Sequence, residues 1–419
     1  MPLYLTNNRD IHIAQEWIIQ LHRWIARHGL CGYDPFDIKA HPFFRALQTR
    51  PLLRKSSTAL SDCFPLLSRR LLRIQPALNP KALALTAHGD LRLYQVTGDT
   101  IHLDRGLRHL DELRRLAVPG YEGLCWGYPF PIRATGLDCP INTPVSVIGA
   151  IAGEAFLLAH RLCGDGALLD AAQGISHFFL ESLPRLPGDK DTWCFAYTPA
   201  DQRRVHNANL LTVSHLLHTA SRIKDRDLME ELRPALEFSL SAQREDGAWP
   251  YGVSVAGDGY EPALMELVDH HHSGFVLRAL YTLYKIHPSE ELSDSLKRGY
   301  SFYRKLFRAD GMPVNGWGAW PVDIHSCAEG ILCNSALAEF RPGALNAAVQ
   351  TLRWTHYQLR SNSDGAPWYR AYPCFRSRIV FPRWGVAWIY RALAEYLYAH
   401  RRYRRRGGSQ FQTCVQRGI

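Results

Sequence analysis

The chain has 419 residues, enough for two or three average domains or for one large repeat-built domain. Hydrophobic residues make up 46% and charged residues 21%, a balance suited to a globular core and opposed to intrinsic disorder. The net charge of +10 is peripheral: residues 1–90 hold 12 Lys/Arg against 6 Asp/Glu, and residues 400–419 hold six Arg and no acid. The body therefore carries no basic stripe or motif of a nucleic-acid binder, and no nucleic-acid partner is expected.

The first element in chain order is an amphipathic helix, "RDIHIAQEWIIQLHRWIARHG" at 9–29, with no basic-then-apolar leader before it. No apolar run approaches the ~18 to 20 residues of a bilayer span. Ten cysteines lie scattered without a CxxC pair, which fits reduced thiols and a cytoplasmic location. From residue 80 the chain repeats itself. Loops marked by Gly and an aromatic recur as "YEGLCWGYPF" (121–130), "DKDTWCFAY" (189–197), "REDGAWPYG" (244–252), "RADGMPVNGWG" (308–318) and "NSDGAPWYR" (362–370). After each comes a small-residue-rich apolar helix, expected at about 144–162, 206–222, 271–286, 325–340 and 384–399, with an earlier one at 80–96. More charged helices alternate with them, such as "DRDLMEELRPALEFSLSAQ" at 225–243.

A period of roughly 55 to 65 residues signals stacked supersecondary units. Helices that are apolar all round belong inside and amphipathic ones outside. The helix at 9–29 would supply the sixth outer member beside 384–399. The expected fold is all-α, an (α/α)6 toroid or six-hairpin barrel. Residues 1–78 form an N-terminal helical segment on it, 79–400 the toroid body, and 401–419 a basic, disordered tail able to touch an anionic membrane surface.

"QREDGAW" (243–249) is similar to the Q-x-x-x-G-x-W repeat of triterpene cyclases, although no DxDD acid motif accompanies it. "GYDPFDIKAHP" (32–42), "NPKALAL" (79–85) and the Gly-Trp loops resemble bacterial proteins of surface-polysaccharide gene clusters, often labelled prenyltransferases. That family resembles six-hairpin sugar enzymes and, more distantly, glucuronyl C5-epimerase catalytic domains. The resemblance implies the toroid fold, a saccharide or polysaccharide substrate, acidic or not, and a place in surface-polysaccharide metabolism.

In a toroid the long loops and the N-termini of the inner helices share one rim, where sites are built. The fourth and fifth repeats carry "VDHHHSG" and "VDIHSCAEG", each an aspartate with a histidine two residues on. Histidine exchanges protons near neutrality, so His206, His271 and His325 are acid/base candidates, with Asp269, Asp323 and Tyr128 beside them. Arg133, Arg376 and Arg383 are candidate carboxylate clamps, and Trp249, Trp317 and Trp368 candidate stacking platforms. Asn207, Tyr251, His270, His272 and Tyr369 complete the expected saccharide-binding rim. Asp, His and Cys can also ligate zinc, but HxxxH and CxxC spacings are missing, so neither metal nor other cofactor is expected. Asp269 equally suits a plain helix cap. The expected chemistry is proton abstraction on a uronic acid, as in an epimerase or lyase. The alternatives are a glycoside hydrolase using two carboxylates among Asp269, Asp323, Glu261 and Glu329, an isoprenoid-binding enzyme, or a saccharide-binding protein without catalysis.

Overall fold

A computed structural model describes residues 8–48, 53, 57, 61–134, 137–254, 262–314 and 320–416. Twelve long helices set the architecture. In chain order they are α1 (Asn8–His28), α2 (Pro80–Thr97), α3 (Thr100–Arg115), α4 (Ser146–Cys163), α5 (Gly166–Ser182), α6 (His206–Ile223), α7 (Asp227–Leu240), α8 (His270–Ile286), α9 (Glu290–Lys305), α10 (Ile324–Ala336), α11 (Ala344–Leu359) and α12 (Trp388–Gln416).

From α2 onward the even-numbered helices pack side by side in sequence order, and α12 returns against α2, closing an inner ring of six. The odd-numbered helices lie outside. The last gap is filled by α1, which packs on α11 and α12. The all-α toroid expected from the repeats is thus the fold. Helix α4 is long and apolar enough to cross a bilayer by composition, but it is mostly buried within the ring.

Capping explains where the inner helices begin. Asn79 accepts from the Lys81 amide with Pro80 at the first position, Asp269 accepts from His272 and Asp323 from His325. These starts all face one end of the barrel, called here the N-pole; the helix C-termini form the C-pole. The basic stretch from 401, expected to be disordered, continues α12 through Gln416. No proline interrupts that stretch, and its Arg and Gln residues are good helix formers.

The recurring Gly loops have a packing reason. Each runs from an outer helix and rests its glycine on the next outer helix. A Cβ at Gly247 would stand 2.4 Å from the Arg298 carbonyl oxygen on α9, and one at Gly311 2.2 Å from the Gln350 carbonyl carbon on α11. Both glycines have φ near +90°, where other residues are strained (φ +94 and +90). Asp246, Asp310 and Asp364 each accept from the amide two residues on, tightening the same turn. The "QREDGAW" motif belongs to this joint. Gln243 donates to the Gly247 and Ser295 carbonyls, and the Trp249 indole donates to the Ser239 carbonyl.

Candidate functional site

At the N-pole the ring encloses a cavity of about 340 Å³, within the range of small-ligand sites. Five inner helices contribute from their starts: Lys81 from α2, Val147 from α4, Asn207 from α6, His271, His272 and Phe275 from α8, and His325 from α10. The sixth contribution, Arg383 and Trp384, comes from a π-helical turn, Pro382–Ala387, leading into α12. The wider π turn inserts one residue per turn and re-aims side chains, a device common at functional sites. Tyr128, Tyr197, Arg203 and Tyr251 come from the connecting loops, and Phe36 and Lys39 of the N-terminal segment also line the cavity. A second hollow of about 420 Å³ adjoins it, sharing Ala40, Phe130, Pro131 and Arg383.

His271 and His325 stack, with ring centroids 4.7 Å apart and planes 22° apart. Trp384, Trp388 and Phe275 surround His325 at 4.3, 4.6 and 5.9 Å. Neither ring nitrogen of His325, nor Nδ1 of His271, has a hydrogen-bond partner. Burial pushes His271 down to about 3 against the pull of Asp269, and burial with His271, Lys81 and Arg383 nearby holds His325 well below its ordinary value. Both imidazoles are therefore neutral at pH 7 and able to accept a proton. Burial opposes ionisation of Asp269, yet the two neighbouring histidines and hydrogen bonds from the His272 amide and ring, both 2.8 Å, hold its carboxyl below the usual range. His272 Nδ1–H thus faces a carboxylate, which leaves Nε2 as the acceptor nitrogen. The Tyr251 ring lies 4.7 Å from His272.

The cavity's arginines are already matched. Arg383 grips Asp34 through Nε and Nη2 at 2.5 and 2.7 Å, and Arg203 holds Asp201 at 2.6 Å. The Lys81 ammonium has no hydrogen-bond partner among the described residues. It lies 5.8 and 5.7 Å from the Phe275 and Trp388 rings, and burial with Arg383 nearby pushes it well down. Among the described residues no carboxylate lines the cavity.

The structure brings together Tyr128, Asn207, Tyr251, His271, His272, His325 and Arg383 among the residues nominated from sequence. Others lie elsewhere. His206 turns outward to the Ser239 hydroxyl at 3.2 Å and onto Phe238, with burial lowering it to about 4. His270 points to the Leu306 carbonyl at 2.9 Å and packs on Phe307. Trp249 is a buried joint residue, not a stacking platform. Trp368 packs under Arg378, Tyr369 packs on Phe381, and Arg376 donates to the Gln358 and Tyr372 carbonyls, so it is no cavity clamp. Asp323 caps α10 while accepting from Arg370 and the Trp384 indole at 2.9 and 2.7 Å. Glu329 is buried against Arg278. The Arg133 side chain, Trp317 and Glu261 lie outside the described residues. Lys81, Tyr197, Arg203, Trp384 and the residues from 31–40 were not nominated. For Lys81 the signal was present: it stands at the start of an inner helix, like His271 and His325.

Two groups have donor sets that could face a metal. Asp269, His271 and His272 bring ligand atoms within 4.8 Å of one another, as do His22, Asp90 and His102. In the second group Arg105 Nη2 already stands 2.7 Å from His22, 2.6 Å from His102 and 3.0 Å from Asp90. Its guanidinium takes the place a cation would need.

No family model and no curated protein sequence matches the chain. Solved structures do. Cellobiose 2-epimerase from Bacillus thermoamylovorans B4167 superposes with a TM-score of 0.59 at 11% identity, over 76% of this chain and 87% of that one. The shared feature is the fold. The GH76 α-mannanase of Bacteroides thetaiotaomicron gives 0.55 at 14% identity, over 76% and 85%. An unsaturated glucuronyl hydrolase specific for heparin gives 0.50 at 12%, over 77% and 87%.

Proposed function

We propose that the protein is a carbohydrate-active enzyme that epimerises a sugar by proton transfer at a carbon beside a carbonyl. The observation that carries this reading is the stacked, neutral His271–His325 pair in an aromatic cavity whose described wall holds no carboxylate. Aromatic faces suit the C–H faces of a pyranose, and Asn207 and Tyr128 supply donors for hydroxyls. His325 takes the proton, and the C–H electron pair moves onto the carbonyl oxygen to give an enediolate. Lys81 and the cavity tyrosines are the donors available to that oxygen. A proton returned to the opposite face from a cavity tyrosine hydroxyl inverts the carbon and restores the carbonyl, after which the His325 imidazolium releases its proton to solvent and the tyrosinate takes one up.

The toroids it superposes on include an enzyme named for 2-epimerisation of cellobiose, which supports the same reading. A two-carboxylate hydrolase has less support, because Asp269 and Asp323 are engaged as caps and hydrogen-bond acceptors. A uronic-acid substrate also has less support, since Arg383 is held by Asp34 and Arg376 by main-chain carbonyls. A neutral di- or oligosaccharide fits better, its further units reaching the adjoining hollow. The test is incubation with neutral reducing disaccharides in heavy water. Deuterium at the inverted carbon, lost in His325→Ala, is the expected result. Release of monosaccharide without deuterium at that carbon would overturn the reading in favour of hydrolysis.

A further inference from the structure

A second, smaller cavity of about 130 Å³ opens at the C-pole, inside the same ring. Its wall includes Arg92, Arg161, Arg222, Arg278, Lys285 and Arg391. Three carboxylates answer them. Arg391 pairs with Glu154, Arg278 with Glu329 at 2.7 Å, and Arg92 with Glu395 at 2.7 Å. Arg161, Arg222 and Lys285 are left at the exposed mouth with no carboxylate partner among the described residues. Arg222 meets only His218, and Lys285 lies over the Tyr281 ring at 4.7 Å.

Basic residues in the last turn of a helix complement its dipole, so these three could be simple caps. The deeper groups argue otherwise. Arg391 is 3% exposed and stands in the first turn of α12, far from any helix C-terminus, yet its Nε and Nη1 have no partner. His88 is 5% exposed with Nδ1 unpartnered. Buried donors of this kind are normally satisfied, and an unmet set facing one hollow points to a missing acceptor. Burial and crowding by neighbouring cations push both His88 and His218 down, so neither adds a charge at neutral pH. The hollow has room for one tetrahedral oxyanion with a few waters.

We propose that the C-pole cavity is a binding site for a phosphate-type oxyanion, with Arg161, Arg222 and Lys285 as its mouth and Arg391 at its base. The anion comes either free in solution or as a lipid headgroup. Past the mouth, Arg401, Arg402, Arg404 and Arg405 follow along α12.

The test uses the full chain and the variant Arg161→Gln/Arg222→Gln/Lys285→Gln, whose changes are at exposed positions outside the N-pole site. Thermal unfolding is followed against inorganic phosphate at constant ionic strength, with chloride as the control. Co-sedimentation is measured with phosphatidylglycerol vesicles against phosphatidylcholine vesicles. A saturable rise in Tm with phosphate, absent in the triple variant, establishes the site with a free anion as ligand. Sedimentation with the anionic vesicles that falls several-fold in the variant, without a phosphate effect, establishes it with the headgroup as ligand. An equal effect of chloride, a phosphate effect unchanged in the variant, or no response in either arm overturns the proposal.

Discussion

The two ends of one ring are built from the same six helices and do opposite things with charge. At the N-pole, helix starts call for acceptors, and Asp269 and Asp323 provide them. The arginines there are matched by Asp34, Asp201 and Asp323. What remains in the hollow is two stacked imidazoles, tyrosines, aromatic walls and the lysines Lys39 and Lys81. At the C-pole, helix ends favour cations, and three of them exceed the carboxylates present. Direction of the main chain thus separates unpartnered imidazoles at one end from unmatched cations at the other within one barrel.

The largest expected effect is on turnover. Replacing His325 with alanine should lower deuterium exchange into substrate by about 10²–10⁴-fold, with an unfolding midpoint no lower than that of the parent. A large fall in midpoint instead would make His325 a packing residue. Next comes Asp34→Ala, which leaves the buried Arg383 guanidinium unmatched. Loss of one partner of a buried pair costs about 3–5 kcal/mol, measurable by urea unfolding. A loss below about 1 kcal/mol would show that the N-pole pairs do not hold the cavity closed. Gly274→Ala is a smaller intrusion: its Cβ would stand 2.4 Å from Glu329 Cγ, and about 1–3 kcal/mol is expected from such overpacking.

Acid should also distinguish the molecule. His271, His206 and His215 are held neutral by burial, at about 3, 4 and 4, against 6.5 when unfolded. Between these values the unfolded chain binds more protons, so stability is fully present above pH 6.5 and is lost as pH falls toward 4 and 3. Unfolding midpoints across pH 7 to 4 should slope accordingly, and His206→Asn should flatten the slope. The smallest effect belongs to the C-pole mouth. Without added anion, Arg222→Gln should change stability by less than about 0.5 kcal/mol in calorimetry. A clear destabilisation would mark the mouth cations as helix caps.

Much of this was legible because repeats expose themselves. The six apolar helices, their order and their starts could be read from period and patterning. Which side chain of each start faces inward could not. Successive helical residues turn by about 100°, so His206 faces the outer helix while Asn207 faces the cavity, and His270 faces out while His271 faces in. The start of the helix must be known to the residue before that choice can be made. The loop aromatics misled for a different reason: "DGAW" signals a turn seated on a neighbouring helix, and Trp249 locks that seat. Asp34 was hidden because its partner Arg383 lies 349 positions away.

That distance has a consequence for how the protein comes into being. The Trp17 indole donates to the Gly365 carbonyl at 2.7 Å, Asp10 accepts from Arg353 at 2.6 Å, and Asp34 meets Arg383. The seam of the ring is therefore stitched by segments 343 to 349 positions apart in the chain. The hairpins between them can stack as they emerge, but the N-pole chamber is completed only when Arg383 reaches Asp34. A nascent chain stalled before residue 380 has five-sixths of a barrel and an unfinished site.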